Sequence, residues 1–299
     1  MSKLLLPTAC TGKLLLNEPL AEYVSWRTGG PAEYLYIPTD LADLQKFIRA
    51  IPEAMPVTWL GLGSNVLVRD GGVKGVVIIT QGALQKLDFI DSNQIRAEAG
   101  VASAQLARFA ARHGNEALAF LAGIPGTVGG ALAMNAGCYG GETWQYVTAV
   151  ETIDRFGNLH QRSIKEFAVS YRNVQAQHAS EWFVAGHFAH VTADKQQALQ
   201  TIRQLLDKRN AAQPMGTANC GSVFRNPQGD YAARLIEQCG LKGVTIGAAT
   251  VSNKHANFVI NQGQAFARDI EQLIALVCST VEEKTGVRLK PEVCIIGTD

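Results

Sequence analysis

A chain of 299 residues with a formal net charge of +1, 47% hydrophobic and 18% charged residues has the make-up of a globular protein holding two or three compact units. So balanced a charge offers no broad basic surface, which argues against nucleic acid or anionic membrane as a partner and leaves any anionic ligand to be met by local groups. The six cysteines, Cys10, Cys138, Cys220, Cys239, Cys278 and Cys294, form no Cys-x-x-Cys pair and read as reduced structural thiols of a cytoplasmic protein.

At the N-terminus, Met1 to Cys10 superficially resembles a lipoprotein signal, but its apolar core is three leucines before Pro7. A secretory segment needs roughly 7–15 apolar residues, so export is not expected. No later stretch approaches the ~20 uninterrupted apolar residues of a membrane span. Residues 33–37 read as a strand, and Asp40 to Ala50 as a helix with Leu41, Leu44 and Phe47 on one face. Strand-like runs follow at Val57 to Leu60, Val66 to Arg69 and Val73 to Thr80, closing a small α+β unit over residues 1–80.

A second unit, 81–212, opens with strands at Leu84 to Ile90 and Gln94 to Ala99 and a helix from Ser103, read as its N-cap, to Gly114. Val147 to Ile153 and Leu159 to Ser163 flank Arg155-Phe-Gly-Asn158, a hairpin signal; Trp182 to Val191 reads as a strand and Lys195 to Asn210 as a boundary helix. The third unit, 213–299, has Ser222 to Phe224 extended, a helix at Tyr231 to Gln238, strands near Val244 and at Asn257 to Ile260, and a helix from Phe266 to Thr285. In the last helix Ile270, Leu273, Ile274, Val277 and Val281 make a core stripe that Gly286 stops. The fold class is α+β.

Two glycine clusters stand out: Gly61-Leu-Gly63-Ser64-Asn65 after the apolar run 57–60, and Leu121 to Gly141, with Gly123, Pro125, Gly126, Thr127, Gly129, Gly130, Asn135 and Gly137. Glycine exposes backbone amides and lets a ligand lie close, so two such loops point to an extended phosphate-bearing ligand; tight turns and close helix packing are the ordinary reading. A dinucleotide fingerprint from Gly61 would need glycine where Val66 stands, and no Gly-Lys-Ser/Thr ends a P-loop, so the expected ligand is a dinucleotide held by a fold other than Rossmann. His187 and His190 point to opposite faces of one strand, and His113, His160 and His178 lack partners at ligand spacing, so no metal is expected.

Arg27-Thr-Gly-Gly-Pro31, Gly61-Leu-Gly-Ser-Asn65, Gly123-Ile-Pro-Gly-Thr-Val-Gly-Gly130 through Asn135-Ala-Gly137, Tyr171-Arg172, Gly221-Ser-Val-Phe-Arg-Asn-Pro227, Lys254-His-Ala-Asn257 and Pro291-Glu-Val293 follow one another across nearly the whole chain. In that order they resemble the UDP-N-acetylenolpyruvoylglucosamine reductase (MurB) family. The resemblance implies a two-subdomain FAD-binding fold of the vanillyl-alcohol-oxidase (PCMH) type followed by an α+β substrate-binding domain. It also implies FAD and NADPH, and reduction of UDP-N-acetylglucosamine enolpyruvate to UDP-N-acetylmuramate in peptidoglycan precursor synthesis. The compact passage from Arg172 to Ser222 is similar to the type II subfamily. Histidine often attaches flavin covalently just after Arg-x-Gly-Gly in this superfamily; Pro31 stands there, so the expected FAD is non-covalent.

On this resemblance Arg27, Gly29, Gly61, Gly63, Ser64, Asn65 and the glycine-rich residues from Gly123 to Gly137 hold the cofactor, and Tyr171, Arg225, Asn226, Lys254 and His255 bind substrate. Arg172 would grip the enolpyruvyl carboxylate and favour the enolate-like form. Ser222 would give the proton to the carbon, and Glu292 would orient the carboxylate end or act through a water in the acid relay. By spacing alone the three read as a surface arginine, a turn serine and a strand-end carboxylate. A flavin oxidase of the same superfamily and a flavin-carrying binding module without turnover are the rival readings; a monomer is expected.

Overall fold

The computed structural model describes Leu4, residues 7–178 and residues 180–299. Of the stretch weighed above as a signal, Met1, Ser2, Lys3, Leu5 and Leu6 lie outside the described residues. Among the described residues no helix is long and apolar enough to cross a membrane.

In chain order the elements are β1 (Lys13–Pro19), β2 (Pro31–Ile37), α1 (Leu41–Ala50), β3 (Val57–Leu60), β4 (Val66–Val68), β5 (Val73–Ile79), β6 (Leu87–Asp91), β7 (Gln94–Glu98), α2 (Ser103–Arg112), α3 (Val128–Met134), β8 (Gly137–Cys138) and β9 (Gly141–Glu142). There follow β10 (Val147–Asp154), β11 (Leu159–Ser163), β12 (Phe167–Ser170), β13 (Asn173–Ala176), β14 (Glu181–Ala189), α4 (Lys195–Ala212), α5 (Ala232–Gln238), β15 (Thr245–Ile246), β16 (Ala249–Val251), β17 (Val259–Asn261), α6 (Ala267–Thr285) and β18 (Cys294–Ile296). Contacts gather them into two compact units. The first takes the described part of Met1–Leu16 with Tyr34–Leu62 and Gly75–Arg209; the second takes Asn17–Glu33, Gly63–Lys74 and Asn210–Asp299.

The first unit holds a sheet of order β1-β2-β5-β3 and one of order β11-β10-β14-β7-β6. Helix α1 starts where Asp40 accepts a hydrogen bond from Asp43 N at 2.8 Å, and it buries Leu44, Phe47 and Ile48, with Phe47 stacked on Tyr36. In the larger sheet Ile95, Ala97, Val150 and Phe188 pack with Leu106, Ala107 and Ala110 of α2. The alternate position of β7, Arg96, belongs to the other face, where its Nε and Nη2 each donate to Glu151 at 2.6 Å and His187 Nε2 bonds Glu151 at 2.7 Å. Burial favours the neutral carboxyl of Glu151, but these bonds prevail and hold its pKa down to about 2.

The second unit is built on α6, whose Ile270, Leu273, Ile274, Val277 and Val281 pack against Leu235 and Ile236 of α5 together with Trp26 and Leu67. Gly286 ends the helix in the left-handed conformation, φ 72°. Strands β15-β16-β17 form a small sheet, and β18 pairs parallel with β4, Cys294 opposite Val66.

Several local readings change. Ala102, not Ser103, caps α2; the Ser103 N–H is drawn to Gly126 O at 2.9 Å, which places Ser103 inside the first turn. The glycine-rich segment contains α3, masked in the sequence by the low helix propensity of Gly129 and Gly130. The hairpin β12–β13, Ser170 opposite Asn173, turns through Tyr171 and Arg172; its two strands of four residues each are too short to give a clear period in sequence. β14 ends at Ala189, so His190 lies just past the strand. Ser222 to Phe224 makes no ladder of its own, only a bridge from Phe224 to Pro291.

Candidate active site

In the first unit the two glycine segments meet. A Cβ on Gly61 would lie 2.4 Å from Thr127 Oγ1, so only glycine admits that approach. Most of the glycines, however, serve the chain itself. A Cβ on Gly129 would strike Ala99, one on Gly123 would meet Tyr139 and Cys138, and one on Gly137 would meet Gly141 O at 2.5 Å. The Val128 and Gly129 amides donate to Val101 O and Ala99 O, at 2.8 and 2.9 Å, and so do not form the anion cradle read from composition. Gly130 differs: it is exposed, and the nearest atom to a Cβ there would be Thr127 Oγ1 at 3.8 Å. Pro125, five residues earlier, is also exposed, while Thr127 is buried and accepts from Gly130 N at 3.4 Å.

Arg172 is no loose surface residue. It sits half-buried in the left-handed conformation, φ 55°, at the tip of β12–β13. Its Nη2 donates to Gly137 O at 2.8 Å and its Nη1 to Asn135 O at 3.4 Å, while Tyr171 lies 5.3 Å beneath the guanidinium and is half-exposed. Arg172, Asn135 and Gly137, far apart in sequence, are thus one cluster. Next to it the Cys138 thiol donates to Phe120 O at 3.1 Å; burial pushes its pKa up to about 11, against the opposing pull of Arg172 and Arg209.

In the second unit Ser222 and Glu292 come together through backbone. Glu292 N donates to Val223 O at 2.7 Å, Arg225 N to Lys290 O at 3.0 Å, and Phe224 bridges Pro291. Two asparagines strap this ribbon. Asn257 accepts from Phe224 N at 2.9 Å and donates to Phe224 O at 2.8 Å; Asn65 Nδ2 donates to Glu292 O at 3.1 Å, and Asn65 O receives Cys294 N at 3.0 Å. Gly221, φ 80°, opens the turn before Ser222 with nothing within 4 Å of a Cβ. Burial, reinforced by the Glu292 carboxylate, raises the Cys220 thiol pKa two residues from Ser222.

The remaining expected residues divide by what holds them. Trp26 Nε1 donates to Val259 O at 2.8 Å and Thr28 Oγ1 to Ala265 O at 2.7 Å, so two buried anchors thrust the exposed Arg27 out at φ 54°. Gly29 packs on Val68, and Gly63, φ 64°, on the backbone of Tyr23 and Val24, the segment before Arg27; Ser64 follows it. Asn226 Oδ1 receives Ala232 N at the start of α5, and Lys254 Nζ donates to Asn210 O at 2.6 Å. His255 Nδ1 accepts from Asn257 N at 3.3 Å, and burial lowers its pKa. Sequence reasoning missed Asn257, Trp26, Thr28 and Glu142; the first three sat inside or beside quoted motifs, and buried polar residues beside glycines were the available signal. Among the described residues no group of three or more His, Cys, Asp or Glu side chains is arranged to hold a metal.

Residues 32–163 match the FAD binding domain family, and residues 213–296 match the C-terminal domain of UDP-N-acetylenolpyruvoylglucosamine reductase. A crystal structure of 6-hydroxy-D-nicotine oxidase from Arthrobacter nicotinovorans shares the fold, with a TM-score of 0.56 at 12% identity over 96% of this chain and 90% of that one. The architecture is thereby the vanillyl-alcohol-oxidase type of FAD-binding fold, carrying an α+β C-terminal region.

Among relatives, UDP-N-acetylenolpyruvoylglucosamine reductase of Legionella pneumophila (strain Paris) is 55% identical over 97% of this chain and 96% of its own, and that of Coxiella burnetii (strain Dugway 5J108-111) is 52% identical over 97% and 98%. The crystal structure of the Thermus caldophilus enzyme superposes with a TM-score of 0.81 at 31% identity, covering 95% of this chain and 98% of that one. The chain belongs to the UDP-N-acetylenolpyruvoylglucosamine reductase (MurB) family. The residues present fit FAD on one observation above all: the exposed backbone at Gly130, where a Cβ would come no nearer to another atom than 3.8 Å, to Thr127 Oγ1.

Proposed function

We propose that this chain reduces UDP-N-acetylglucosamine enolpyruvate to UDP-N-acetylmuramate at the expense of NADPH, as an FAD-dependent enzyme of peptidoglycan precursor synthesis. The observation that carries the reading is the strapped ribbon of the second unit, which joins the Ser222 and Glu292 segments by the bond from Glu292 N to Val223 O, 2.7 Å. The family membership supports the same reaction.

Bound non-covalently, with Pro31 where an attachment residue would stand, FAD supplies hydride chemistry between NADPH and the enolpyruvyl methylene carbon. Gly61, Gly63, Ser64, Asn65, Arg27, Gly29 and the glycine-rich backbone between Gly123 and Gly137 would hold it, Gly130 by direct backbone approach, with the Asn65 and Asn135 side chains supporting from the protein side. The chain's own residues then do two things. Arg172 binds the substrate carboxylate and stabilises the negative charge that hydride addition leaves on the neighbouring carbon. Ser222 donates its hydroxyl proton to that carbon, completing the lactyl ether, and Glu292 orients the carboxylate end of the substrate or relays, through a water, the solvent proton that restores the serine hydroxyl. Tyr171, Arg225, Asn226 and Lys254 remain substrate contacts; His255 supports Asn257.

The chain-order division 1–80, 81–212 and 213–299 stands as the proposed domain plan, supported at its last boundary by the C-terminal family match beginning at 213. A type II enzyme, monomeric and cytoplasmic, without nucleic-acid or membrane partners, agrees with the near-neutral charge. The test is NADPH oxidation without oxygen. Consumption that depends on the enolpyruvyl sugar supports the reading; consumption that needs only oxygen makes the chain an oxidase, and none at all makes it a binding module.

A further inference from the structure

The family resemblance places Asn135 against the cofactor, yet its side chain is 2% exposed and fully occupied by protein. Its Nδ2 gives one hydrogen to Glu142 Oε2 at 2.9 Å and the other to Ser170 O at 3.2 Å, while Oδ1 accepts from Trp144 N at 3.1 Å. Both amide hydrogens are spent. The residue sits left-handed, φ 41°, at the C-terminal end of α3, a conformation that asparagine tolerates better than other side chains.

These bonds converge on Arg172. Ser170 is the last residue of β12, directly before the Tyr171-Arg172 turn, so the bond to its carbonyl holds the turn from the strand side. The Asn135 carbonyl and the Gly137 carbonyl hold the guanidinium from the other side. Glu142 aims the amide: β8 and β9 pair Gly137 with Glu142, and the strands lie so close that a Cβ on Gly137 would be 3.0 Å from Glu142 Cγ. That closeness folds the carboxylate back onto Asn135, where the bond is charge-assisted.

We propose that Asn135 and Glu142 are positioning residues for Arg172, fixing the β12–β13 turn and the carbonyls that orient its guanidinium. The proposal rests on the reading that Arg172 binds the enolpyruvyl carboxylate. It assigns neither residue a contact with substrate or flavin.

Asn135→Asp is the sharpest probe, because it preserves shape and the acceptor for Trp144 N but replaces two donors by a carboxylate facing Glu142 and a carbonyl. In the holoenzyme we expect flavin reoxidation by UDP-N-acetylglucosamine enolpyruvate to slow by roughly 10–100-fold, the scale of a misplacement near 1 Å. Calorimetric affinity for the same sugar should fall about tenfold, with flavin content and flavin reduction by NADPH within about threefold of the parent. Glu142→Gln, which keeps an acceptor, should cost only a few-fold and serves if the aspartate variant folds poorly. Combining Asn135→Asp with Glu142→Gln should recover part of the loss, since the introduced glutamine amide can donate to the introduced carboxylate; a general loss of structure would not be rescued this way. With Arg172→Lys the losses should overlap and not multiply. The proposal is overturned if both half-reactions and flavin content fall together, if the combined variant shows no recovery, or if the losses with Arg172→Lys multiply. An Arg172→Lys variant that by itself turns over normally would overturn the reading beneath the proposal, and the proposal with it.

Discussion

The two units fix their reactive side chains by different chemistry. In the first, carboxylates do the fastening: Arg96 and His187 bond Glu151, Arg162 bonds Glu181 and Glu166, and Glu142 accepts from the Asn135 amide that supports Arg172. In the second, which also has the Arg69–Glu271 ion pair, the ties around the Ser222 ribbon and Trp26 are neutral: Asn65, Asn257 and Asn261 each tie a side-chain amide to the backbone of a remote segment, Asn261 reaching Trp26 O at 2.8 Å. An amide strap keeps its strength across pH and salt, whereas a carboxylate-based one fails when protonated. The amide ties of the ribbon that carries Ser222 are therefore insensitive to acid, whereas the Asn135 amide beside Arg172 leans on the Glu142 carboxylate.

The largest test of this contrast is Ser222→Ala. Stopped-flow flavin absorbance should show reduction by NADPH near normal and reoxidation by the enolpyruvyl sugar slower by roughly 10²–10⁴, the usual contribution of a positioned acid. Equal slowing of both halves would mean that the ribbon serves the flavin site and not the proton.

Next comes the acid sensitivity of the first unit. Glu151 is held from an ordinary 4.5 down to about 2. Its folded pKa is depressed, so its stabilisation is complete above the unfolded value and is lost as pH falls from about 4.5 towards 2. The amount at stake is about 3 kcal/mol at most. Urea unfolding across that window should therefore steepen for the parent and flatten for Glu151→Gln, which is also less stable at neutral pH. Parallel curves would dissolve the contrast.

Asn257→Ala supplies the opposite case. It strands the Phe224 N–H and C=O inside the second unit and should cost about 2 kcal/mol, by the same amount at roughly pH 4 and pH 7. A loss that depends on pH would contradict the neutral-strap reading.

The smallest effect on the fold is expected at Gly130→Val, where a Cβ meets only an ordinary contact with Thr127 Oγ1 at 3.8 Å, yet flavin retention on gel filtration should drop. Gly129→Val should do the reverse of a cofactor defect: it collides with Ala99 and lowers the melting temperature through strain of about 1–3 kcal/mol. If Gly130→Val keeps its flavin, the bare backbone there is not the cofactor face.

Much of the fold was legible because hydrophobic period and punctuation are local. Helix α1 with its Asp40 cap, the β10–β11 hairpin and the α6 stripe with its Gly286 stop follow from residues within one or two turns of each other. What escaped was polar or glycine-rich: α3 inside the glycine segment, the hairpin bearing Arg172, and the ribbon partner of Ser222. Such elements are stabilised by contacts from elsewhere in the chain, so their own residues carry little signal.

By itself the sequence determined the order of motifs, and with it the family, along with the identity of Arg172, Ser222 and Glu292 as the residues to examine. Only the tertiary structure decided how these are held and which glycines face outward. It tied the Asn135 and Asn65 side chains to distant carbonyls, and made Gly129 a packing residue beside an exposed Gly130. The physical reason is that a glycine or an asparagine signals only permission, for close approach or for a hydrogen bond. What approaches, and what accepts the bond, is set by residues distant in sequence that the folded chain brings there.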